Sequence, residues 1–231
     1  MTIYVNDWDI VSPGELLAED EYKAGLNVYR EGRRLYSMVV GLLRVNRRTL
    51  NVIPLSGHYI PKVGDIVIGE VIDLTPTSYI VDIRSPYTAI LHVNEALSKP
   101  LNLYEENLRK YYDVGDYVIA RVIYFEPGLN PLLSCKEKGL GKVKRGRLLV
   151  TPPSRVPRLI GRQGSMVNLI KKETGCDLII GQNGYILVIS KDLEGEAMAI
   201  KAIRMVEEEA HVSGLTTRVA SLLRKEKIAP S

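Results

Sequence analysis

Two cysteines, three histidines and two glutamines are all that the 231-residue sequence holds of those types. Cys135 and Cys176 have no second pair at ligand spacing, so no structural zinc site is written into the chain. In a reducing cytosol both are expected as thiols. The histidines, at 58, 92 and 211, fall in no HExxH pattern, and there is neither a G-x-x-x-x-G-K-[ST] phosphate loop nor a Gly-x-Ser-x-Gly elbow. Asp73 and Asp82, which a barrel could gather around Mg²⁺, read as scattered surface acids. No catalytic residue, metal ligand or cofactor is therefore expected. No run of 18 apolar residues is present, which excludes a membrane-spanning helix on length. The start, Met1-Thr2-Ile3-Tyr4-Val5-Asn6-Asp7-Trp8, lacks both the basic region and the apolar core of a signal peptide. The expectation is an intracellular, cytoplasmic protein with no membrane partner.

What is present is an uneven charge distribution. The formal net charge is only +4. Between Lys136 and Glu173, however, eleven Lys or Arg face only two acids, Glu137 and Glu173. Residues 65–135 are the reverse, with five basic and ten acidic side chains, and residues 1–61 balance at seven of each. Most charge runs are simply solvated faces. The basic run here surrounds Ile160-Gly161-Arg162-Gln163-Gly164, and that coincidence shifts the reading towards a polyanion. Two glycines three apart let the backbone approach a sugar-phosphate chain with no Cβ in the way. The helix expected from Ser165 points free N–H groups at the same place. Arg162 would supply a cation and Gln163 a neutral donor, with Arg158 and Lys171 as further basic partners. Ile160, Leu169 and Ile179 could line an apolar groove for bases, the simpler reading being that they are core.

The chain divides into three segments. Residues 1–61 look β-rich, with strands over 37–45 and 49–55 and turns at Val11–Glu15 and Glu31-Gly32-Arg33. Sixty residues make a marginal core, so this segment suits docking on neighbours or partners. Residues 62–138 carry five short strand candidates (65–74, 78–83, 87–93, 116–124 and 132–135), the pattern of a five-stranded OB-type barrel. Helical pieces are expected at 94–97 and 101–112. OB barrels bind single strands through aromatic platforms and basic residues. The candidates here are Tyr79, Tyr87, His92 and Tyr124 for stacking, and Arg84 and Arg121 for phosphates. Residues 139–231, after the Lys138–Lys142 linker, alternate as βααββα. Ser154 is the expected N-cap of the first helix, Gly175 ends the second, and a long last helix starts near Asp192 with Ile200, Ile203, Val206 and Ala210 on one face. The fold class is thus multidomain α+β.

The residues Val156–Met166, around the Gly-Arg-Gln-Gly loop, resemble a type I KH domain. Gly64-Asp65 through Ile83, Tyr87 through Val93 and Val114–Val118 resemble an S1 domain, an OB subclass. Val11–Glu15 resembles the Pro-Gly turn that opens a known N-terminal domain. In that order the three resemble the RNA-binding cap subunits of archaeal exosomes, over almost the whole chain. The resemblance implies a non-catalytic protein that sits as a trimeric cap on a hexameric 3′–5′ phosphorolytic ring and threads single-stranded RNA into it for degradation. It implies docking through the N-terminal domain. Gly161, Arg162, Gln163 and Gly164 match the KH clamp, and His92 matches the histidine that ends the third S1 strand. Where many S1 domains carry Phe before the Val-Asp of strand two, this chain has Ile80, with Tyr79 one residue earlier on the opposite side. A free-standing S1–KH regulator of transcription or translation is the alternative partnerless reading, and a nuclease acting alone is the third.

Overall fold

The computed structural model describes residues 2–19, 21–55, 57–97, 108–209 and 214–228, in two compact units, 1–57 and 58–231. The first unit is built from eight short strands. These are β1 (Thr2–Ile3), β2 (Ile10–Val11), β3 (Leu16–Glu19), β4 (Lys23–Ala24), β5 (Val28–Glu31), β6 (Arg34–Ser37), β7 (Gly41–Asn46) and β8 (Thr49–Pro54). They form two four-stranded sheets, ordered β1-β3-β6-β5 and β2-β7-β8-β4. Both contribute to one core of Val11, Leu17, Ala18, Val28, Leu35, Leu43, Leu50 and Val52. The period-2 pattern of β7 and β8 buries Leu43, Leu50 and Val52 and turns Leu42 and Ile53 outward.

In the second unit, β9 (Ile66–Leu74), β10 (Ser78–Asp82), β11 (Ala89–His92), β12 (Tyr117–Tyr124) and β13 (Leu132–Ser134) close into a five-stranded barrel, and the short α1 (Val93–Ala96) follows β11. The sheet runs β13-β11-β10-β9-β12, and a further β12–β13 pairing completes the ring. Register shifts at Ile80/Val81 and Val122/Tyr124 supply the bends that closure needs. The segment expected to be helical over 101–112 lies mostly outside the described residues; Leu108–Lys110 forms one 3-10 turn.

A Val-Gly-Asp turn opens both β9 and β12, at Val63-Gly64-Asp65 and Val114-Gly115-Asp116, each with its glycine at positive φ (+97° and +89°). The two strands are antiparallel neighbours in which Ile68 pairs directly with Ile119, its own counterpart in the repeat. The flanking bonds repeat as well: the Gly64 and Gly115 amides donate to Val122 and Val71, and the Val122 and Val71 amides donate to Asp65 and Asp116. A local two-fold therefore runs through the Ile68–Ile119 pair.

That pair is where the rest of the unit docks. Beyond β14 (Gly141–Lys142), which is hydrogen-bonded to β12, come β15 (Arg147–Val150), α2 (Val156–Ile160), α3 (Ser165–Thr174), β16 (Asp177–Ile180), β17 (Tyr185–Ile189), α4 (Leu193–Glu208) and α5 (Leu215–Ile228). The expected βααββα order is present, with α5 added. The sheet is antiparallel in the order β15-β17-β16. One face packs on the helices through Leu178, Ile186 and Val188 with Ile170, Ala199, Ile203 and Val219. The other face meets the barrel, with Tyr185 and Leu187 against Ile68 and Ile119. Burial on both sides explains why β17 reads as an unbroken apolar run, Tyr-Ile-Leu-Val-Ile.

Asn183, fully buried in the β16–β17 turn, joins the two parts. Its Nδ2 donates to the carbonyls of Ile68 (2.6 Å) and Ile83 (2.9 Å), and its Oδ1 accepts from the Ile68 amide (3.3 Å). The Gln182 amide adds a bond to the Ile66 carbonyl at 2.8 Å. Because β10 pairs with β9 only as far as Glu70, the carboxamide takes the place of a strand neighbour beside Ile68. The linker around Gly141–Lys142 is stitched down too, since Lys142 pairs with Asp116. Among the described residues no helix is long and apolar enough to cross a membrane.

Two local expectations are corrected. Ser154 caps nothing: it sits inside a 3-10 turn, Pro153–Arg155, and its buried Oγ has no hydrogen-bond partner among the described residues. Tyr79 points into the barrel core, fully buried, its hydroxyl donating to Leu108 O at 3.0 Å, so it offers no stacking surface. Burial pushes its phenol up to about 12. Ala210 lies outside the described residues, while Ile203 and Val206 are buried as expected.

Substituting Asn183 by Asp removes both donated bonds and buries a charge. A loss of at least about 2 kcal/mol is expected, because each orphaned buried polar group costs about 1–3 kcal/mol. Urea unfolding of the full chain measures it.

Candidate nucleic-acid interface

The Gly161–Gly164 loop is a backbone device. Gly161 adopts φ 74°, ψ 174°, a conformation closed to side chains, and a Cβ there would stand 2.7 Å from the Met166 amide nitrogen. Gln163 is left-handed at φ 51°, ψ 31°, and Gly164 follows at φ 79°, ψ 12°. The chain thereby turns straight into α3, a ten-residue helix whose N-cap, Gly164, offers no side chain to its free amides. No acidic residue lies in its first turn. The longer α4 contrasts: Asp192 accepts from the Gly195 amide at its start, and Glu194 and Glu196 follow. One helix start is thus already answered by acids, and the other is open to an external anion.

Around the open end, Arg158 and Arg162 are exposed and enter no ion pair among the described residues. Gln163 is exposed beside them. Asn168, which the sequence reading overlooked, lies one turn into α3 with its Nδ2 3.3 Å from where a Gly164 Cβ would be. Its i+4 spacing from Gly164 is the signal that could have found it. Lys171 is differently employed: it pairs with Asp177 at 2.6 Å, and that bond holds the Asp177 carboxyl below its ordinary value. Of the groove residues, Ile160 and Leu169 are half-buried, Leu169 against the helical core, whereas Ile179 packs into the junction with the barrel.

The barrel candidates do not converge on one patch. Arg84 turns into the junction, its guanidinium 5.3 Å from the Tyr185 ring centroid. Arg121 is held by Glu137 (Nη2–Oε2 2.7 Å) and by the Gly64 carbonyl. Both cations are thus engaged within the chain. Tyr87 meets Phe125 edge-on at 5.0 Å, and Tyr124, adjacent to Phe125, is 40% exposed. His92 is exposed at the end of β11, its Nδ1 2.7 Å from Ser78 Oγ. Tyr87 and Phe125 form an aromatic pair on the barrel, and Tyr124 is exposed next to Phe125 in the chain. Phe125, the single Phe of the chain, was not among the sequence candidates.

The two cysteines are buried free thiols, and burial pushes that of Cys135 up to about 12. Among the described residues no group of three or more His, Cys, Asp or Glu is placed to hold a metal ion.

The loop geometry makes a stability forecast. Gly161→Ala must displace the start of α3 and should cost about 1–3 kcal/mol, the usual range for such backbone strain. Gly164→Ala, in ordinary left-handed helical space, should cost about 1–2 kcal/mol. Thermal melts of the two variants check the order.

Comparison with known proteins follows the same three-part division. Residues 8–56 match the model of the exosome RNA binding protein RRP4 N-terminal domain, residues 58–124 that of the RRP4 S1 domain, and residues 147–208 that of the KH domain. None of the three is a catalytic family. The exosome complex component Rrp4 of Thermofilum pendens is 43% identical over 228 residues, covering 97% of this chain and 96% of its own. That of Pyrococcus abyssi is 44% identical over 223 residues, covering 96% and 84%. A crystal structure described as a candidate exosome complex RNA-binding protein is 36% identical, with a TM-score of 0.69 over 74% of this chain and 98% of its own. The N-terminal, S1 and KH domains in this order, and identity above two-fifths along nearly the whole length, show that the chain belongs to the Rrp4 family of exosome RNA-binding components.

Proposed function

We propose that the protein is a non-catalytic cap subunit that binds single-stranded RNA and delivers its 3′ end to a hexameric phosphorolytic ring, three copies forming the cap. The carrying observation is the α3 start: two glycines, no cap, no acid, the exposed Arg162 in the loop and the exposed Arg158 on the helix before it. The Gly161, Arg162, Gln163 and Gly164 backbone holds phosphates there, with Arg158 and Arg162 as cations. Lys171 acts at most indirectly, since Asp177 neutralises it. In the barrel, Tyr87 and Tyr124 offer stacking surface with His92 at the rim, while Arg84 and Arg121 serve structure first.

Docking on the ring is supported by the first unit. Ile10, Leu42 and Ile53 are direct cross-strand partners on one outward face of β2, β7 and β8. Ile10 is 64% exposed and Ile53 45%, and Val40 and Leu55 prolong the row. At its edge the Arg44 guanidinium stacks 3.8 Å over the exposed Trp8 ring. Trp and Arg are residue types enriched at protein-binding hot spots, and the aliphatic row beside them is apolar surface that a partner would bury. The domain limits proposed are 1–61, 62–138 and 139–231, with the last two acting as one body.

Fluorescence anisotropy with a short single-stranded RNA tests the clamp. The double change Arg162→Asp and Gln163→Asp keeps both glycines and should weaken binding at least about tenfold; unchanged affinity in a folded variant would falsify the assignment. Neutralising about four phosphates predicts a salt slope near −3 for the wild type, from about −0.7 per phosphate. For docking, Ile10→Asp with Ile53→Asp should abolish co-elution with the ring subunits and leave the RNA affinity in place. Persistent co-elution would remove the stripe from consideration.

A further inference from the structure

His92 ends β11 with its ring in solvent and one ring nitrogen tied to the barrel. It is the direct cross-strand partner of Ser78 on β10, and its Nδ1 lies 2.7 Å from Ser78 Oγ. Strand alternation puts both side chains on the outer side of the barrel, since Tyr79 and Leu91 beside them fill its core. Their exposures differ: Ser78 is 4% exposed, whereas His92 is open. Among the described residues Nδ1 is the one partner of the Ser78 hydroxyl, and His92 Nε2 has none. The charged groups within electrostatic reach are occupied by each other. Lys136 Nζ stands 2.6 Å from Glu95 Oε1, and that bond, with another from Ser134, holds the Glu95 carboxyl below its ordinary value.

This arrangement decides where the imidazole proton sits. A buried hydroxyl needs an acceptor for its hydrogen. If Nδ1 carried the proton it would donate to Oγ, and the Ser78 hydrogen would be left without an acceptor. With the proton on Nε2, the Ser78 hydroxyl donates to the Nδ1 lone pair and both groups are satisfied. We propose that Ser78 is a positioning residue for RNA binding at the barrel: its hydroxyl holds His92 in the Nε2–H form and leaves that N–H as a fixed, neutral donor to an oxygen of single-stranded RNA. The proposal rests on the reading of His92 as an RNA contact at the barrel rim, and adds to it the group that orients the ring. Without the bond the proton divides between two nitrogens and the ring turns freely, so part of the interaction would go into ordering it. In a barrel as acidic as residues 65–135, a directional neutral donor serves where net charge does not.

The test uses the full chain and a fluorescein-labelled oligouridylate of about twelve nucleotides, within the span of single-strand sites. Long-range proton–nitrogen NMR spectra of the wild type, in mildly alkaline buffer, should show His92 protonated at Nε2, a readout independent of how any variant folds. A proton on Nδ1 overturns the proposal. By anisotropy, His92→Ala and Ser78→Ala should each weaken binding about threefold or more, the effect of losing one hydrogen bond. Ser78→Thr, which keeps the hydroxyl, should stay within about twofold. In the His92→Ala background, Ser78→Ala should add nothing, because it acts through the ring. If it weakens binding there by the same factor, Ser78 serves the fold alone and the proposal fails. It also fails if His92→Ala weakens binding while Ser78→Ala leaves affinity and tautomer unchanged. A neutral His92→Ala would instead strike the barrel-rim reading on which it rests. Effects that persist on an abasic oligomer of equal length place the acceptor oxygen on the backbone, and effects confined to the uridine oligomer place it on the base; either is the proposed contact.

Discussion

Three hydrogen bonds at one buried carboxamide, two donated and one accepted, fasten the βααββα element to the barrel. β9 outruns its partner β10, and the Ile68 amide and carbonyl would be left without a neighbour where it does. Asn183 supplies both a donor and an acceptor there, as a backbone amide would, and reaches the Ile83 carbonyl besides. Around it, Tyr185 and Leu187 bury the local two-fold of the barrel at Ile68 and Ile119. The barrel and the βααββα element therefore share a core. The α3 loop is consequently carried by a sheet that is fixed on both faces rather than by a domain on a tether.

Charge is distributed with the same economy. Within the basic run, Lys136, Lys142, Arg147 and Lys171 are each matched by a carboxylate: Glu95, Asp116, Glu196 and Asp177. Much of the apparent surplus of cations is thus internal structure. What remains at the α3 start is small in number but placed where backbone amides add to it. In the proposed function such a site would hold phosphates without reading bases, as delivery of many different RNA ends requires. The barrel, rich in acids over 65–135, contributes aromatic surface at Tyr87, Phe125 and Tyr124 rather than positive charge.

Much of this was legible in the residues. The five barrel strands and the βααββα order follow from short apolar alternations punctuated by Gly, Pro and Asn, and each lies within a few residues of its expected span. The loop was legible because its two glycines have a backbone reason to be there. What escaped the reading depended on long-range partners. Asn183 looked like an ordinary turn residue, since nothing local reveals that its side chain meets a strand 115 positions away. Arg84 and Arg121 had the right charge and position on a barrel, but their guanidinium groups found Tyr185 and Glu137 instead. Tyr79 is aromatic on a strand yet sits on the inward side of the pleat. In the first unit only two of eight strands were anticipated, because two- to four-residue strands carry too little alternation to register.

In the proposed function RNA phosphates are held at the open start of α3. An NMR titration of the backbone amides with a short single-stranded RNA reads this. The amides of Arg162, Gln163, Gly164, Ser165 and Met166 are expected to shift first and furthest, with Asn168 following. If those amides stay still while signals on the outer face of the barrel move, the loop is a structural turn and the phosphates are held elsewhere.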